Sequence, residues 1–172
     1  MDGLLKGGHD DYRDAMICND LAEFKAALAP GMRLVGLDLG AKTIGIAVSD
    51  TRLTVATPRT TLKRGKFSAD AAVLETLIAE DGAGGIVIGL PLNMDGTAGA
   101  AAQSARAFAR NLAARVSVPI LLWDERLSTA AVTRTLLDAD ASRKRRGEVV
   151  DKMAAAYILQ GALDALRGPA CA

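Results

Sequence analysis

The sequence predicts an α/β fold: a mixed sheet of five strands, the first three antiparallel, with helices on both faces. Residues 34–50 hold two short β-type runs joined by a glycine-containing link, which is typical of a hairpin. Residues 53–62 form a third run rich in threonine and valine, and Pro58 favours an edge position because proline lacks a ladder donor. Helical patterns then alternate with short continuous apolar runs, which indicates βαβ units around central strands.

The elements after these three strands follow from their periodicity. Residues 86–90 and 118–123 are the continuous apolar runs, and helical patterns lie between and after them. Residues 142–148 are basic, contain Gly147 and are predicted as a loop. The last helix is predicted from about residue 150 to residue 166, with a core stripe of Ala155, Ile158, Ala162 and Leu166.

The chain is predicted to divide into an extension, one folded domain and a short tail. Residues 1–32 are the extension: a mobile tail to about residue 19, then a short helix over residues 21–28 with Asn19 or Asp20 as its cap. Residues 33–167 are the domain and residues 168–172 are the C-terminal tail. Half of the 172 residues are hydrophobic, which is enough for one core.

Composition argues against several classes of protein. No run approaches the roughly 20 apolar residues of a membrane span, and no signal peptide is recognisable, so a cytoplasmic location is expected. Cys18 and Cys171 lie near opposite ends and are expected to be free thiols. The lone histidine, His9, has no scaffold for a catalytic triad or a zinc site, so a hydrolase would rely on carboxylates and metal ions.

Charge is spread unevenly along the chain. The net charge is +1, but residues 1–32 hold six acidic and three basic side chains, which leaves 18 basic and 14 acidic side chains from Arg33 onward. The net charge of the residues from Arg33 onward is therefore +4, which is compatible with a phosphate-rich partner but does not require one.

Asp38 stands inside an otherwise apolar strand. Aspartate is depleted in strands, and a buried carboxylate is costly unless it is paired or binds a metal. This stretch leaves two explanations open: a side chain that turns outward or caps a turn, and a metal ligand in the hairpin.

Further acids fall at the end of a strand and the start of a helix. Asp124 and Glu125 follow a central strand, where sites in open α/β sheets collect. Neighbours on a strand point to opposite faces, so only one of the two can share a given site. Asp151 precedes Ala155 by four residues, which places it on the buried face in the first turn of the last helix. Interaction with a helix dipole is the alternative explanation at both places.

Carboxylates from these three places can converge on hard divalent cations. Mg²⁺ takes oxygen ligands, usually one or two carboxylates together with waters and substrate phosphates. Two such ions can hold the attacking and leaving oxygens during phosphodiester hydrolysis.

Four segments of the chain resemble the YqgF/RuvX family of RNase H-like proteins. They are GLDLGAKTIGIAVSD at 36–50, GLPLNMDGTAG at 89–99, DERLSTAAV at 124–132 and VDKMAAAYILQGALD at 150–164, in the family's order. The family is regarded as pre-16S rRNA nucleases and is related to Holliday-junction resolvases. The resemblance implies an RNase H-like fold, a cytoplasmic location and a metal-dependent nuclease that matures the 5′ end of 16S rRNA.

The resemblance also implies the site residues. By motif position Asp38, Glu125 and Asp151 are the catalytic and metal-binding residues, with Mg²⁺ or Mn²⁺ as the cofactor. Glu125 is favoured over Asp124 by the motif and by its reach. Many RNase H-like nucleases carry an acid on the fourth strand, where this chain has Gly-Leu-Pro at residues 89–91, so the site depends on the acid after the next strand.

Basic side chains elsewhere are candidates for gripping backbone phosphates. Aromatic residues make up only 3% of the chain, so recognition of shape and backbone is expected in place of base stacking. The alternative for residues 143–146 is a solvated loop. The candidates are Lys42, Lys63, Arg64, Lys66, Arg126, Arg143, Lys144, Arg145 and Arg146.

Three functions stay open on these observations. The first is an endonuclease acting on structured RNA, with ribosomal particles as a further partner. The second is the same chemistry on branched DNA, which requires a homodimer because a resolvase cuts two strands symmetrically. The third is an RNA-binding ribosome-assembly factor with a weak site, which the missing fourth-strand acid keeps open. The sequence does not distinguish a monomer from a homodimer.

Overall fold

A mixed sheet of six strands forms the centre of the molecule. The computed structural model describes residues 16–127 and 143–168, with the side chains of residues 143–151 excepted. The strands are β1 (Ile17–Cys18), β2 (Arg33–Leu39), β3 (Thr43–Ser49), β4 (Ala56–Lys63), β5 (Ala83–Leu90) and β6 (Ile120–Asp124). Their order in the sheet is β1-β6-β5-β2-β3-β4. β2, β3 and β4 are antiparallel, whereas β5 is parallel to β2 and β6 is parallel to β5, which confirms the predicted mixed sheet.

The sheet has one strand more than the five predicted. Ile17 pairs in parallel with Ile120 of β6, so this part of the predicted mobile tail is an edge strand. A strand of two residues has no periodicity by which a sequence pattern could reveal it. Cys18 is a buried free thiol, as predicted, and burial raises its pKa. Residues 1–15 and 169–172, which include His9 and Cys171, lie outside the described residues.

The short helix predicted before the hairpin is present as α1 (Leu21–Ala27). Asp20 caps it, and its Oδ1 accepts a hydrogen bond of 3.0 Å from the backbone N–H of Ala22. Phe24 is fully buried in an apolar cluster that includes Leu34 of β2. This helix therefore packs on the sheet.

Helices cover both faces of the sheet, as predicted. α2 (Phe67–Asp81) and α3 (Ala100–Ala113) pack on the face to which Leu37 and Ile88 point. α1 and α4 (Arg143–Arg167) pack on the opposite face, to which Leu34 and Val87 point. Within the described ranges, no helix combines the length and the apolar character that a membrane span requires.

The last helix begins earlier than predicted. α4 starts at residue 143, so the loop predicted over residues 142–148 is wrong from residue 143 onward. Arginine, lysine and glutamate are good helix formers, and together they carry the helix through Gly147. Asp151 therefore lies in the third turn of α4 and not in the first. The predicted core stripe is confirmed by the burial of Ala155, Ile158, Ala162 and Leu166.

Candidate active site

Asp38 lies near the carboxyl end of β2 and is buried, with 5% of its surface exposed. The alternation of β2 places it on the same face as Leu34, the face that α4 covers. Asp38 pairs with Gly45 of β3, and continuing the β2–β5 register by one residue places it beside Gly89. The Asp38 carboxylate thus projects from the covered face of the sheet and does not lie on an outward-facing turn.

Glu125 reaches the same face from the end of β6. It is the first residue of a short 3₁₀ turn at Glu125–Leu127. A Cβ atom built on Gly89 would lie 2.5 Å from Oε1 of Glu125 and 2.7 Å from Cδ1 of Ile158. The carboxylate of Glu125 therefore occupies the space that a side chain on β5 would need. Because neighbouring strands lie about 4.8 Å apart, this space adjoins Asp38.

Asp124 is held elsewhere. Its carboxylate accepts hydrogen bonds from Nε of Arg126 at 3.0 Å and from Nη2 of Arg126 at 2.7 Å. These bonds to Arg126 lower the pKa of Asp124 below its ordinary value. By strand alternation Asp124 shares the face of Leu122, opposite to Asp38. Of the two alternatives that the sequence left open, the geometry favours Glu125 as the neighbour of Asp38.

Arg126 joins the end of β6 to the loop that follows β5. Its Nη1 donates to the backbone carbonyl of Met94 at 3.3 Å. Within that loop, Nδ2 of Asn93 donates to Oγ1 of Thr97 at 2.9 Å, and Asp95 accepts from the backbone N–H of Thr97. The guanidinium that was predicted to grip phosphates is thus engaged in contacts that position this loop.

The backbone of Asp151 lies at the Asp38 end of the sheet. Farther along α4, Leu159 packs so closely on β2 that a Cβ atom on Gly36 would lie 2.7 Å from its Cβ. Lys152 lies with Thr43 and Lys63, at the hairpin end of β2 and β3. α4 therefore runs antiparallel to β2, and its third turn lies near the carboxyl end of β2.

The third predicted ligand can be placed no further than its backbone, because the side chain of Asp151 lies outside the described part. Among the side chains that are described, no three histidine, cysteine, aspartate or glutamate residues gather as a metal site. What the described residues bring together is the pair of Asp38 and Glu125.

The residues predicted to contact backbone phosphates lie in different parts of the structure. Lys42 and Lys63 line one concave surface. Arg64 donates from Nη1 to the carbonyl oxygen of Gly40 at 2.6 Å and lies over the ring of Phe108, so it joins the hairpin link to α3. Lys66 is exposed at the start of α2. The side chains of residues 143–146 lie outside the described part.

Two basic residues that the sequence analysis missed line the same surface as Lys42 and Lys63. They are Arg59 of β4 and Lys152 of α4. We call this concave surface the basic groove, and its volume is about 570 Å³. Its described lining consists of Lys42, Arg59, Lys63, Lys152 and three threonines of β3 and β4. The pairing of β3 with β4 shifts register at Arg59, so alternation along the strand carried no reliable signal that Arg59 and Lys63 line one surface.

Comparison with known proteins adds a family. Residues 32–165 match the sequence model of RuvX, described as Holliday junction resolvase. A protein of Roseobacter denitrificans named "Putative pre-16S rRNA nuclease" is 61% identical over 155 residues, which cover 88% of this chain and 94% of that protein. A protein of the same name from Paramagnetospirillum magneticum is 61% identical over 143 residues, with 83% and 92% covered.

The similarity to solved structures is weaker. Thermus thermophilus RuvC in complex with a Holliday junction substrate has a TM-score of 0.43 at 14% identity, with 74% of this chain and 91% of that chain covered. The yeast mitochondrial Holliday junction resolvase Ydc2 has a TM-score of 0.46 at 13% identity, with 86% and 85% covered. Because the family's sequence model spans residues 32–165 and close relatives match over nearly their whole length, this chain belongs to the RuvX family.

Proposed function

We propose that this protein is a metal-dependent endonuclease that hydrolyses phosphodiester bonds in structured RNA, with the 5′ end of pre-16S rRNA as its substrate. The observation that carries the proposal is the placement of two carboxylates on one sheet face: Asp38 on β2, and Glu125 directly after β6, which reaches over Gly89 of the intervening strand β5. Carboxylate oxygens that lie together on one face are the ligands that Mg²⁺ and similar hard cations prefer. The names of the relatives from Roseobacter denitrificans and Paramagnetospirillum magneticum support RNA as the substrate.

The donor set fits Mg²⁺ or Mn²⁺. Asp38, Glu125 and Asp151 would hold the metal, and all three offer oxygen, which hard cations prefer over the nitrogen and sulfur ligands of zinc sites. When bound, such ions supply an activated water and neutralise charge on the phosphate oxygens. No protein general base is then required.

The chain's own residues orient these groups. Gly89 leaves the space into which the Glu125 carboxylate extends, and Ile158 bounds that space from α4. Arg126 holds Asp124 away on the other face, so the acid next in sequence does not compete for the site. We assign Glu125, and not Asp124, as the ligand from the DER segment.

Phosphate contacts come from the basic side chains around this pair. We propose Lys42 and Lys63 as direct contacts, together with Lys66 and the basic first turns of α4 at residues 143–146. Arg64 and Arg126 act on the substrate through the elements they position. The catalytic domain is proposed to be residues 33–167 and residues 1–32 an extension of it, in a protein that works in the cytoplasm on pre-ribosomal particles.

The test is a cleavage assay that offers a 5′-extended 16S precursor RNA and a four-way DNA junction side by side, with Mg²⁺, Mn²⁺ or EDTA. Wild type should cut the RNA only with metal. Asp38→Asn and Glu125→Gln should each reduce the rate by more than about 100-fold, the upper range for losing a group that merely supports a metal ligand. Glu75→Gln is the matched control, since Glu75 pairs with Arg115 away from this face.

A second function is favoured by the description of the family model as Holliday junction resolvase. Cutting of the junction in place of the RNA, by a protein that is dimeric in solution, would establish that function. If neither substrate is cut while RNA binding persists and ignores both metal and Asp38→Asn, the protein is an assembly factor and the nuclease proposal is wrong.

A further inference from the structure

The basic groove collects four cationic side chains from three parts of the fold. Lys42 comes from the link between β2 and β3, Arg59 and Lys63 come from β4, and Lys152 comes from α4. Among the described residues that line it, none is acidic or aromatic. These side chains are distant in sequence, so local structure does not explain why they share a surface. Their approach is also unfavourable in itself, because like charges repel one another.

Most of this charge is available to a ligand. Arg59 is engaged at the outer rim, with Nε 3.3 Å from Oδ2 of Asp81 and Nη2 3.7 Å from Oε2 of Glu80. For Lys42, Lys63 and Lys152 the structure records no ion pair within its described residues. The three lysines thus offer their ammonium groups to an anionic partner.

The groove lies close to Asp38 on the same face of the sheet. Asp38 pairs with Gly45 of β3, and Gly45 pairs with Thr61 of β4, so these three residues form one row across the sheet. Gly45 has no side chain that would stand between the other two. The next row toward the hairpin pairs Thr43 with Lys63 on the same face. The lining of the groove therefore begins at β3 and β4, in the row of Asp38 and the next row on its face, and extends to the free edge of β4.

We propose that the basic groove binds one strand of nucleic acid by its sugar–phosphate backbone and guides it from the free edge of β4 to Asp38. The proposal rests on the nuclease function argued above and names the path of its substrate. Lysine ammonium groups and threonine hydroxyls are backbone-contacting groups, and without an aromatic platform the contact carries no base preference.

The path along the groove is short. From β2 to β4 it covers two strand spacings, about 10 Å. Phosphates of one strand follow one another at about 3.4 Å along a helix axis, so the path has room for a few consecutive phosphates.

The experiment measures binding of a short fluorescein-labelled single-stranded RNA by anisotropy in EDTA, at a series of KCl concentrations. Each phosphate contact contributes about 0.7 to the slope of log affinity against log salt for single strands. The double variant Lys63→Ala/Lys152→Ala should therefore lower the slope by about 1.4 and weaken binding at low salt. Lys63→Arg/Lys152→Arg should restore the wild-type slope.

Arg110→Ala is the matched control, because Arg110 is an exposed cation on α3, across the sheet from the groove. It should leave both slope and affinity unchanged. An unchanged slope in the lysine-to-alanine double variant, with its fold verified by circular dichroism, would overturn the groove proposal.

Failure of this proposal and failure of the nuclease function give different results. If the alanine double variant binds and cuts like wild type while Asp38→Asn is inactive, the groove proposal is wrong and the nuclease stands. If the double variant loses binding but wild type cuts nothing, the groove stands and the nuclease function is wrong.

Discussion

Replacing Gly89 with alanine would place a methyl group where the Glu125 carboxylate lies. The added Cβ atom would be 2.5 Å from Oε1 of Glu125 and 2.7 Å from Cδ1 of Ile158. Both distances are shorter than non-bonded heavy atoms tolerate. The ends of both side chains can move, so we expect the protein to fold with Glu125 displaced from Asp38.

The Gly89→Ala substitution should lower both the stability of the protein and its cleavage rate. Overpacking of this kind costs about 1–3 kcal/mol of the free energy of unfolding. For a chain of this length each kcal/mol lowers Tm by about 2–4 °C, so a decrease of about 2–12 °C is expected. The rate of metal-dependent cleavage should fall as far as it does in Glu125→Gln, because both changes remove the same carboxylate from the site.

The assay combines thermal unfolding with RNA cleavage in a double-mutant cycle. In a Glu125→Ala background, Gly89→Ala should lower the activity no further and should cost less stability, because one of its two collisions is gone. Gly36→Ala is the control: its Cβ atom would lie 2.7 Å from Cβ of Leu159, so it destabilises the packing of α4 but should be additive with Glu125→Ala.

Wild-type cleavage by Gly89→Ala would refute this reasoning, whatever the change in Tm. Additivity of Gly89→Ala and Glu125→Ala would refute it as well, since it would mean that the methyl group acts without displacing the carboxylate.

Three further predictions concern elements around the site. Asp124→Asn should speed amide hydrogen exchange at residues 93–97, which Arg126 holds, while the free energy of unfolding changes by no more than about 1 kcal/mol because the pair is accessible to solvent. Hydrogen bonds from Thr54 lower the pKa of Asp50 from 3.8 to about 2, so the Tm advantage of wild type over Asp50→Ala should be full above about pH 4 and lost as the pH falls toward 2. Phe24→Ala should lower the free energy of unfolding in urea by about 3–5 kcal/mol, because its ring is fully buried under α1.

Each of these has a contrary result. Unchanged exchange at residues 93–97 would mean that Arg126 does not position the loop. A Tm difference for Asp50→Ala that is constant between pH 2 and pH 7 would show that its hydrogen bonds do not favour the charged form. A negligible cost for Phe24→Ala would mean that α1 does not pack on the sheet in solution.

Local pattern was enough to predict most of the fold. The hairpin of β2 and β3, the edge strand with Pro58, and the continuous apolar runs of β5 and β6 each carry their signal within a few residues. The core stripe of α4 did so too, because a period of 3.6 residues repeats over several turns. Asp38 was predicted as a candidate site residue from a local pattern as well, because it is a charged residue within an apolar strand.

Contacts between distant residues decided the rest. β1 is too short to have a pattern and exists through its pairing with β6. Helix propensity is a weak prior, so a basic segment with a glycine was predicted as a loop where α4 in fact begins. The adjacent acids at the end of β6 point to different faces and have different neighbours. Asp124 is bound by Arg126, whereas the Glu125 carboxylate lies over the bare backbone of Gly89. The basic groove likewise joins side chains from a hairpin link, an edge strand and a helix, which come together when the chain folds.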